Sequence, residues 1–100
     1  MVERVLCGEK KHVGGKLVKV CLLVQGTRVV GVVLTGDFFV EPEDTFERVL
    51  RSLLEVNCEL SEVSSVVSTL LVGSGIKLHG ITVDDVKEAI ELALAKTAFS

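Results

Sequence analysis

The chain has no Trp and no Tyr, one Pro, and three Cys among its 100 residues. Its 48% hydrophobic content is therefore mainly aliphatic, with four Phe as the aromatic part. A net charge of −3 and the lack of aromatics among the basic residues argue against nucleic-acid binding, which relies on basic and stacking side chains. A chain of this length is expected to fold as a single domain over residues 1–100, around one core.

The sequence also lacks a long apolar run and a leader peptide. No apolar stretch approaches the ~18 residues of a membrane-spanning helix. The first residues do not pass from a charged region into an apolar one, as a secretory leader does. We therefore expect a cytoplasmic protein.

Cysteine is present in an odd number and at wide spacing, as Cys7, Cys21 and Cys58. Without a CxxC pair, this pattern predicts neither a zinc site nor a disulfide framework. We expect Cys21 to act as a small hydrophobe within a strand, and Cys7 and Cys58 to be free thiols near the surface.

Two runs rich in Val and Leu, residues 17–24 and 28–35, flank the turn Gln25-Gly26-Thr27 and predict a β-hairpin. Alternation predicts one wholly apolar face on the first strand. That face carries Val18, Val20, Leu22 and Val24. On the second strand, Val30, Val32 and Leu34 are expected to share a face. Residues 2–7 predict a third strand, and residues 8–13 a basic loop.

Helical periodicity dominates the second half of the chain. A stripe formed by Phe46, Val49, Leu50, Leu53 and Leu54 follows Pro42 and an acidic first turn, as at a helix start. Residues 60–72 predict either a helix capped by Ser61 or a strand, because Val and Ser are poor helix formers. Thr82 is expected to cap a final helix. The fold prediction is α+β: an antiparallel three-stranded sheet with helices packed on one face, in the order β-β-β-α-α-α.

Charge is spread unevenly along the chain. Residues 1–28 carry six Lys or Arg against two Glu, and the remainder carries five against twelve acidic residues. The basic end is either a solvated sheet edge or a surface for an acidic partner or anionic ligand. Gly14-Gly15, flanked by Lys11 and Lys16, either lets the backbone approach an anion closely or serves only a flexible loop. His12 is expected to be a plain exposed imidazole, because no catalytic triad is visible.

The segment Gly14-Gly15-Lys16-Leu17, the hairpin, and then Gly36-Asp37-Phe38-Phe39 with Pro42-Glu43-Asp44 resemble the accessory domain of lipoate–protein ligases. The resemblance covers about the first half of the chain. In that family the domain is fused behind the catalytic domain or made as a separate small subunit, often in archaea. The resemblance implies that this chain is a subunit that is not catalytic alone. A catalytic partner is then expected to bind lipoate, ATP and magnesium, to form lipoyl-AMP and to modify acceptor domains.

The same resemblance implies a surface that faces the partner's active site and no catalytic or metal-binding residue in this chain. We expect that surface to consist of Lys11, Gly14, Gly15, Lys16, Asp37, Phe38 and Phe39. Two alternatives stay open. One is a cysteine-based sulfur or iron–sulfur carrier or scaffold protein, which three cysteines would permit. The other is a regulatory interaction module without a ligase partner.

Overall fold

The computed structural model describes residues 2–12, 14, 16–41 and 43–96, except for the side chain of Phe39. Gly15 and Pro42, to which the sequence assigned roles, lie outside the described residues. The elements in chain order are β1 (Arg4–Lys11), β2 (Leu17–Gln25), β3 (Arg28–Gly36), β4 (Phe39–Glu41), α1 (Glu43–Leu54), β5 (Cys58–Glu59), a 3₁₀ turn (Leu60–Glu62), α2 (Val63–Gly73), β6 (Lys77–His79) and α3 (Val83–Ala95).

The predicted α+β class is confirmed, with an antiparallel sheet and three helices in the described part of the chain. The three-stranded sheet and the order β-β-β-α-α-α are wrong. The main sheet has four strands in the order β1-β2-β3-β5, and β4 pairs with β6 in a separate two-stranded sheet. The added strands have two or three residues each, which is too short for a period-two pattern to appear in the sequence.

The hairpin supplies the centre of the core. Its apolar face is confirmed, because Val18, Val20, Leu22 and Val24 are all 0% exposed. The face predicted for β3 needs correction. A register shift between Leu23 and Val24 places Val29 opposite Val24, so Val29 is fully buried and Val30 is only half-buried. Such a bulge inverts the alternation locally, and the pattern of apolar residues does not reveal it.

Strand β1 continues through residues 8–11, which the sequence analysis assigned to a loop. Gly8 lies within the strand, and α3 crosses directly over it. A Cβ at Gly8 would overlap the carbonyl oxygen of Ala89 and the amide nitrogen of Ala93. The absence of a side chain therefore allows the helix to approach the sheet closely.

The helices bury apolar faces, but the predicted stripe of α1 is only partly confirmed, because Leu54 at its C-terminal end is 50% exposed. Val49 and Leu53 of α1, and Val63, Val67 and Leu71 of α2, are buried. The segment 60–72 is helical rather than extended, but Ser61 is not its cap: α2 begins at Val63 after the 3₁₀ turn, without a side-chain cap. Gly75, with φ of 72°, follows the end of α2 in the left-handed conformation that commonly ends a helix.

A disulfide joins Cys7 to Cys21. The prediction of a free thiol at Cys7 and a small hydrophobe at Cys21 is therefore wrong. The two residues are cross-strand partners in the β1–β2 register, with Cα atoms 4.0 Å apart. Their pairing depends on that register, which the sequence spacing does not disclose. Cys58 is a free thiol, but it is buried rather than near the surface.

Among the described helices, none combines the length and the apolar character that crossing a membrane requires.

Candidate functional site

One end of the main sheet gathers the residues that the sequence singled out. Lys11 pairs with Leu17, and Val18 pairs with Gly36, so β1 and β3 end where β2 begins. The two ends of the loop 12–16, His12 and Lys16, therefore lie beside Asp37 and Phe38, which follow β3. We call this region the loop end.

The loop 12–16 is closed by a backbone hydrogen bond. The amide of His12 donates to the carbonyl oxygen of Lys16 at 2.6 Å. Gly14 lies between them with φ of 106°, a conformation that strongly favours glycine. The backbone conformation at this position thus calls for glycine, the approach of that backbone to an anion stays a prediction, and Gly15 lies outside the described residues.

Gly36 and Asp37 fasten the neighbouring strand end to the same place. The amide of Asp37 donates to the carbonyl oxygen of Leu17 at 3.0 Å. A Cβ at Gly36 would overlap that same carbonyl group. Glycine at position 36 is therefore needed for the close approach of β3 to the start of β2, whereas Asp37 contributes through its backbone amide and its exposed carboxylate faces solvent.

His12 is linked to the first turn of α3. Its Nδ1 lies 2.5 Å from Oδ2 of Asp85, a residue that is only 7% exposed. The same oxygen accepts a hydrogen bond from the Thr82 amide at 2.8 Å, and the Asp85 amide donates to Oγ1 of Thr82 at 3.2 Å. Thr82 and Asp85 thus form a capping box, as the predicted cap at Thr82 requires.

The carboxylate of Asp85 is held in its ionised form. Burial by itself would raise the pKa of Asp85, but hydrogen bonds from Thr82 and His12, together with the His12 charge, outweigh burial. The net result is a pKa of Asp85 below its ordinary value. A buried negative charge therefore faces the loop at His12.

The basic residues of the first 28 positions do not form one patch. Lys10 pairs with Glu88 of α3 at 2.7 Å, which raises the pKa of Lys10, and Arg28 pairs with Glu59 at the opposite end of β3. Lys11 and Lys16 are exposed, and neither has an ion-pair partner within the part of the chain that the structure describes. The free positive charge of the loop end therefore comes from these two lysines.

Lys16 lies against the connection between β6 and α3. A Cβ at Gly80 would come within 2.9 Å of Cγ of Lys16, so the lysine stem rests on the bare backbone of Gly80. Gly80 has φ of 96°, which also favours glycine. The aliphatic part of Lys16 is thereby supported, while its residue remains exposed to solvent.

Phe38 and Phe39 lie next to the loop end, in the segment that joins β3 to α1. The ring of Phe38 meets the ring of Phe46 edge-to-face, with centroids 5.9 Å apart. The two rings line a surface groove of about 400 Å³ with Val40, Leu50, Glu43 and Glu47. Phe39 pairs with His79 through its backbone in the small sheet, and its side chain is outside the described part.

Two features of this region were missed or misjudged in the sequence. His12 was expected to be a plain exposed imidazole, whereas it is half-buried and bonded to Asp85. Asp85 is 73 positions from His12, so no local spacing links them. The available signal was the pair Thr82 and Asp85, three residues apart, which is typical of a capping box.

No group of three or more His, Cys, Asp or Glu side chains suited to a metal ion occurs among residues 2–12, 14, 16–41 and 43–96. The assignment of magnesium, ATP and lipoate to a partner subunit stays a prediction.

The fold can be compared with solved structures. It superposes with a TM-score of 0.69 on a chain from an archaeal lipoylation system of Thermoplasma acidophilum, which comprises a bipartite lipoate protein ligase and its E2 lipoyl domain. The two sequences are 22% identical, and the match covers 87% of this chain and 94% of that chain. The two chains share a fold. No protein-family model matches the sequence, and no curated protein sequence matches it.

Proposed function

We propose that this chain is the accessory subunit of a bipartite lipoate–protein ligase. In this role it is needed by a catalytic subunit for the ATP-dependent activation of lipoate to lipoyl-AMP. The observation that carries the proposal is the shared fold with a component of an archaeal bipartite lipoylation system, over nearly the whole of both chains. The sequence resemblance to the accessory domain supports the same assignment independently.

The proposed division of labour leaves the chemistry to the partner. The catalytic subunit holds lipoate, ATP and magnesium, whereas this chain makes and breaks no bond itself. Its contribution is to cover the partner's site and order its loops. Closure of such a site excludes water from an acyl-adenylate that water would hydrolyse, and it fixes the reacting groups.

The loop end is the proposed contact surface. Lys11 and Lys16, with the glycines between them, face the phosphate-binding region of the partner, where two exposed cations attract anionic groups. Asp37, Phe38 and Phe39 shape the edge of the interface. This choice of contact surface is supported by the positions of the residues. Four of the seven lie together at the strand ends, with Phe38 next to them: Lys11, Gly14, Lys16 and Asp37.

Lipoate-dependent release of AMP tests the proposal. We expect the catalytic subunit alone to be slow and the mixture with this chain to be much faster. A double variant, Lys11→Ala with Lys16→Ala, should stimulate less at limiting concentration. Lys96→Ala, which removes an exposed lysine just beyond the opposite end of α3, is the matched control and should stimulate normally. If the catalytic subunit alone is as fast as the mixture, the proposal fails.

The alternative of a sulfur or iron–sulfur carrier receives less support from the geometry. A carrier needs an accessible thiolate, but Cys7 and Cys21 are joined to each other. Burial, assisted by Glu62, raises the pKa of the Cys58 thiol above its usual value. Cys58→Ala should therefore leave the stimulation of AMP release unchanged, whereas a carrier would lose its function.

A further inference from the structure

The contact between His12 and Asp85 has no role in the function proposed so far. Asp85 is buried and ionised, and its Oδ2 accepts hydrogen bonds from the Thr82 amide and from His12. Because an ionised carboxylate can only accept hydrogen bonds, Nδ1 of His12 carries the proton in this contact. A hydrogen bond to a buried charge is among the stronger polar contacts in a protein.

His12 also closes the loop through its own backbone. Its amide donates to the carbonyl oxygen of Lys16, so one residue holds both ends of the loop together and ties them to α3. A second contact acts in parallel, because the stem of Lys16 rests on Gly80, two positions before Thr82. The loop is thus fastened at two points to the segment that begins α3.

The charged groups around this link are few. From β1, Lys10 faces α3 and pairs with Glu88, one turn beyond Asp85. Asp84 is exposed, and Lys16 lies against Gly80, two positions before the capping residue Thr82. In the part of the chain that the structure describes, His12 is the only side chain from outside α3's capping box that bonds to the Asp85 carboxylate. Its loss would leave that buried charge without its tie to the loop.

We propose that His12 is a positioning residue. Through its hydrogen bond to Asp85 and its backbone bond to Lys16, it holds the two ends of the segment 12–16 against the start of α3, so that Lys11 and Lys16 are presented in the orientation in which they dock on the catalytic subunit. This inference rests on the proposed function, and it assigns to one side chain the ordering of the docking loop.

Hydrogen exchange in the free chain tests the link itself. His12→Ala should speed exchange of the residue-12 amide at least about tenfold, because the lost hydrogen bond is one to a charged group. The Asp37 amide, bonded to Leu17 at the same end of the sheet, should exchange as before. His12→Asn should restore slow exchange, because the Asn amide nitrogen occupies the place of Nδ1 and donates to a carboxylate.

A matched variant separates the link from general stability. Thr82→Ala removes the hydroxyl of the capping box and leaves the contact between His12 and Asp85 in place. It should speed exchange in the first turn of α3 and leave the residue-12 amide slow. Equal acceleration of all these amides by His12→Ala would mean a general loss of structure, and it would overturn the inference.

Stimulation of AMP release tests the consequence for docking. His12→Ala should raise the concentration of this chain needed for half-maximal stimulation about tenfold, with the rate at saturation unchanged, and His12→Asn should restore it. If wild type stimulates and His12→Ala behaves identically, the inference fails while the proposed function stands. If wild type does not stimulate, the proposed function fails and the docking role falls with it, while the exchange data still decide whether His12 holds the loop.

Discussion

At the scale of single residues, the close contacts of this fold depend on glycine at particular positions. Gly8 lies under α3, and Gly36 lies against the start of β2, each where a Cβ would overlap backbone atoms. Neither neighbour is a flexible side chain that can move aside. These positions therefore set the distance between the layers and between the strand ends that form the loop end.

Gly8→Ala should lower the free energy of unfolding by about 2–3 kcal/mol, because the added methyl group forces α3 away from β1. Urea denaturation measures the change. Gly73→Ala is the control, since nothing lies within 4 Å of a Cβ there. That variant should be unchanged or more stable by up to about 1 kcal/mol, because alanine favours the helical conformation. Equal stability of the two variants would contradict the close packing of α3 on Gly8.

Asp85 predicts an acid-sensitive part of the stability. Its pKa is lowered in the folded protein, so its stabilising contribution is complete above the pKa of the unfolded chain, near 3.8. The contribution is lost as the pH falls through the lower folded value. Asp85→Asn should lower the free energy of unfolding by about 2 kcal/mol at neutral pH, and the difference from wild type should shrink as the pH falls below about 4.

Urea denaturation from neutral pH to about pH 2.5 checks this sign. Asp84→Asn removes an exposed carboxylate from the same turn and is the matched control for charge. A difference between wild type and Asp85→Asn that stays constant across the acid range would show that the ionisation of Asp85 is not coupled to folding.

At the scale of elements, the disulfide links the edge strand β1 to the hairpin. β1 ends with Lys11 and leads directly to His12 at the loop end, and it has one strand neighbour within the described sheet, β2. The link between Cys7 and Cys21 spans 14 positions of sequence. It therefore restricts the unfolded chain in the segment that includes residues 12–16.

Reduction by a dithiol should lower the free energy of unfolding by about 3 kcal/mol, the chain-entropy value for a loop of this length. Cys7→Ser should reproduce the loss and should then be insensitive to the dithiol. Cys58→Ala, which leaves the disulfide intact, should keep that sensitivity. Alkylation of the denatured, unreduced protein should modify one cysteine; modification of all three would contradict the disulfide.

Because disulfides are rare in reducing compartments, the same alkylation in fresh lysates also tests the predicted cytoplasmic location.

The longer elements could be predicted from sequence, whereas the short and non-local ones could not. Alternation in β2 identified its core face, and the stripe of α1 identified Val49 and Leu53 as buried although Leu54 is exposed, because each pattern extends over several periods. The predicted first strand ended before Gly8, because the residues Glu9-Lys10-Lys11 are polar. In the structure β1 continues through them, and Lys10 pairs with Glu88 of α3. The pairing of β4 with β6 joins two three-residue segments that carry no periodic signal.

At the scale of the whole molecule, the fold brings together residues that are far apart in sequence. The sequence resemblance identified Lys11, Lys16 and Asp37 as surface residues, and antiparallel pairing explains why they share one end. The link from His12 to Asp85 could not be predicted, because it depends on how α3 crosses β1. Strand pairing therefore accounts for the shared position of these residues, whereas the link to Asp85 depends on packing between layers; contact of the loop end with a partner stays a prediction.

The loop end also predicts how docking responds to salt. Lys11 and Lys16 are exposed, so their attraction to an anionic partner surface acts through water and is screened by ions. Between about 0.05 and 0.5 M salt, the concentration of wild-type chain needed for half-maximal stimulation of AMP release should rise several-fold. The double variant Lys11→Ala, Lys16→Ala should start from a higher value and change much less. Lys96→Ala should follow wild type. Removal of the two lysines removes the charges on which screening acts. A double variant with the same salt dependence as wild type would therefore show that the partner's anionic groups contact other positions of this chain.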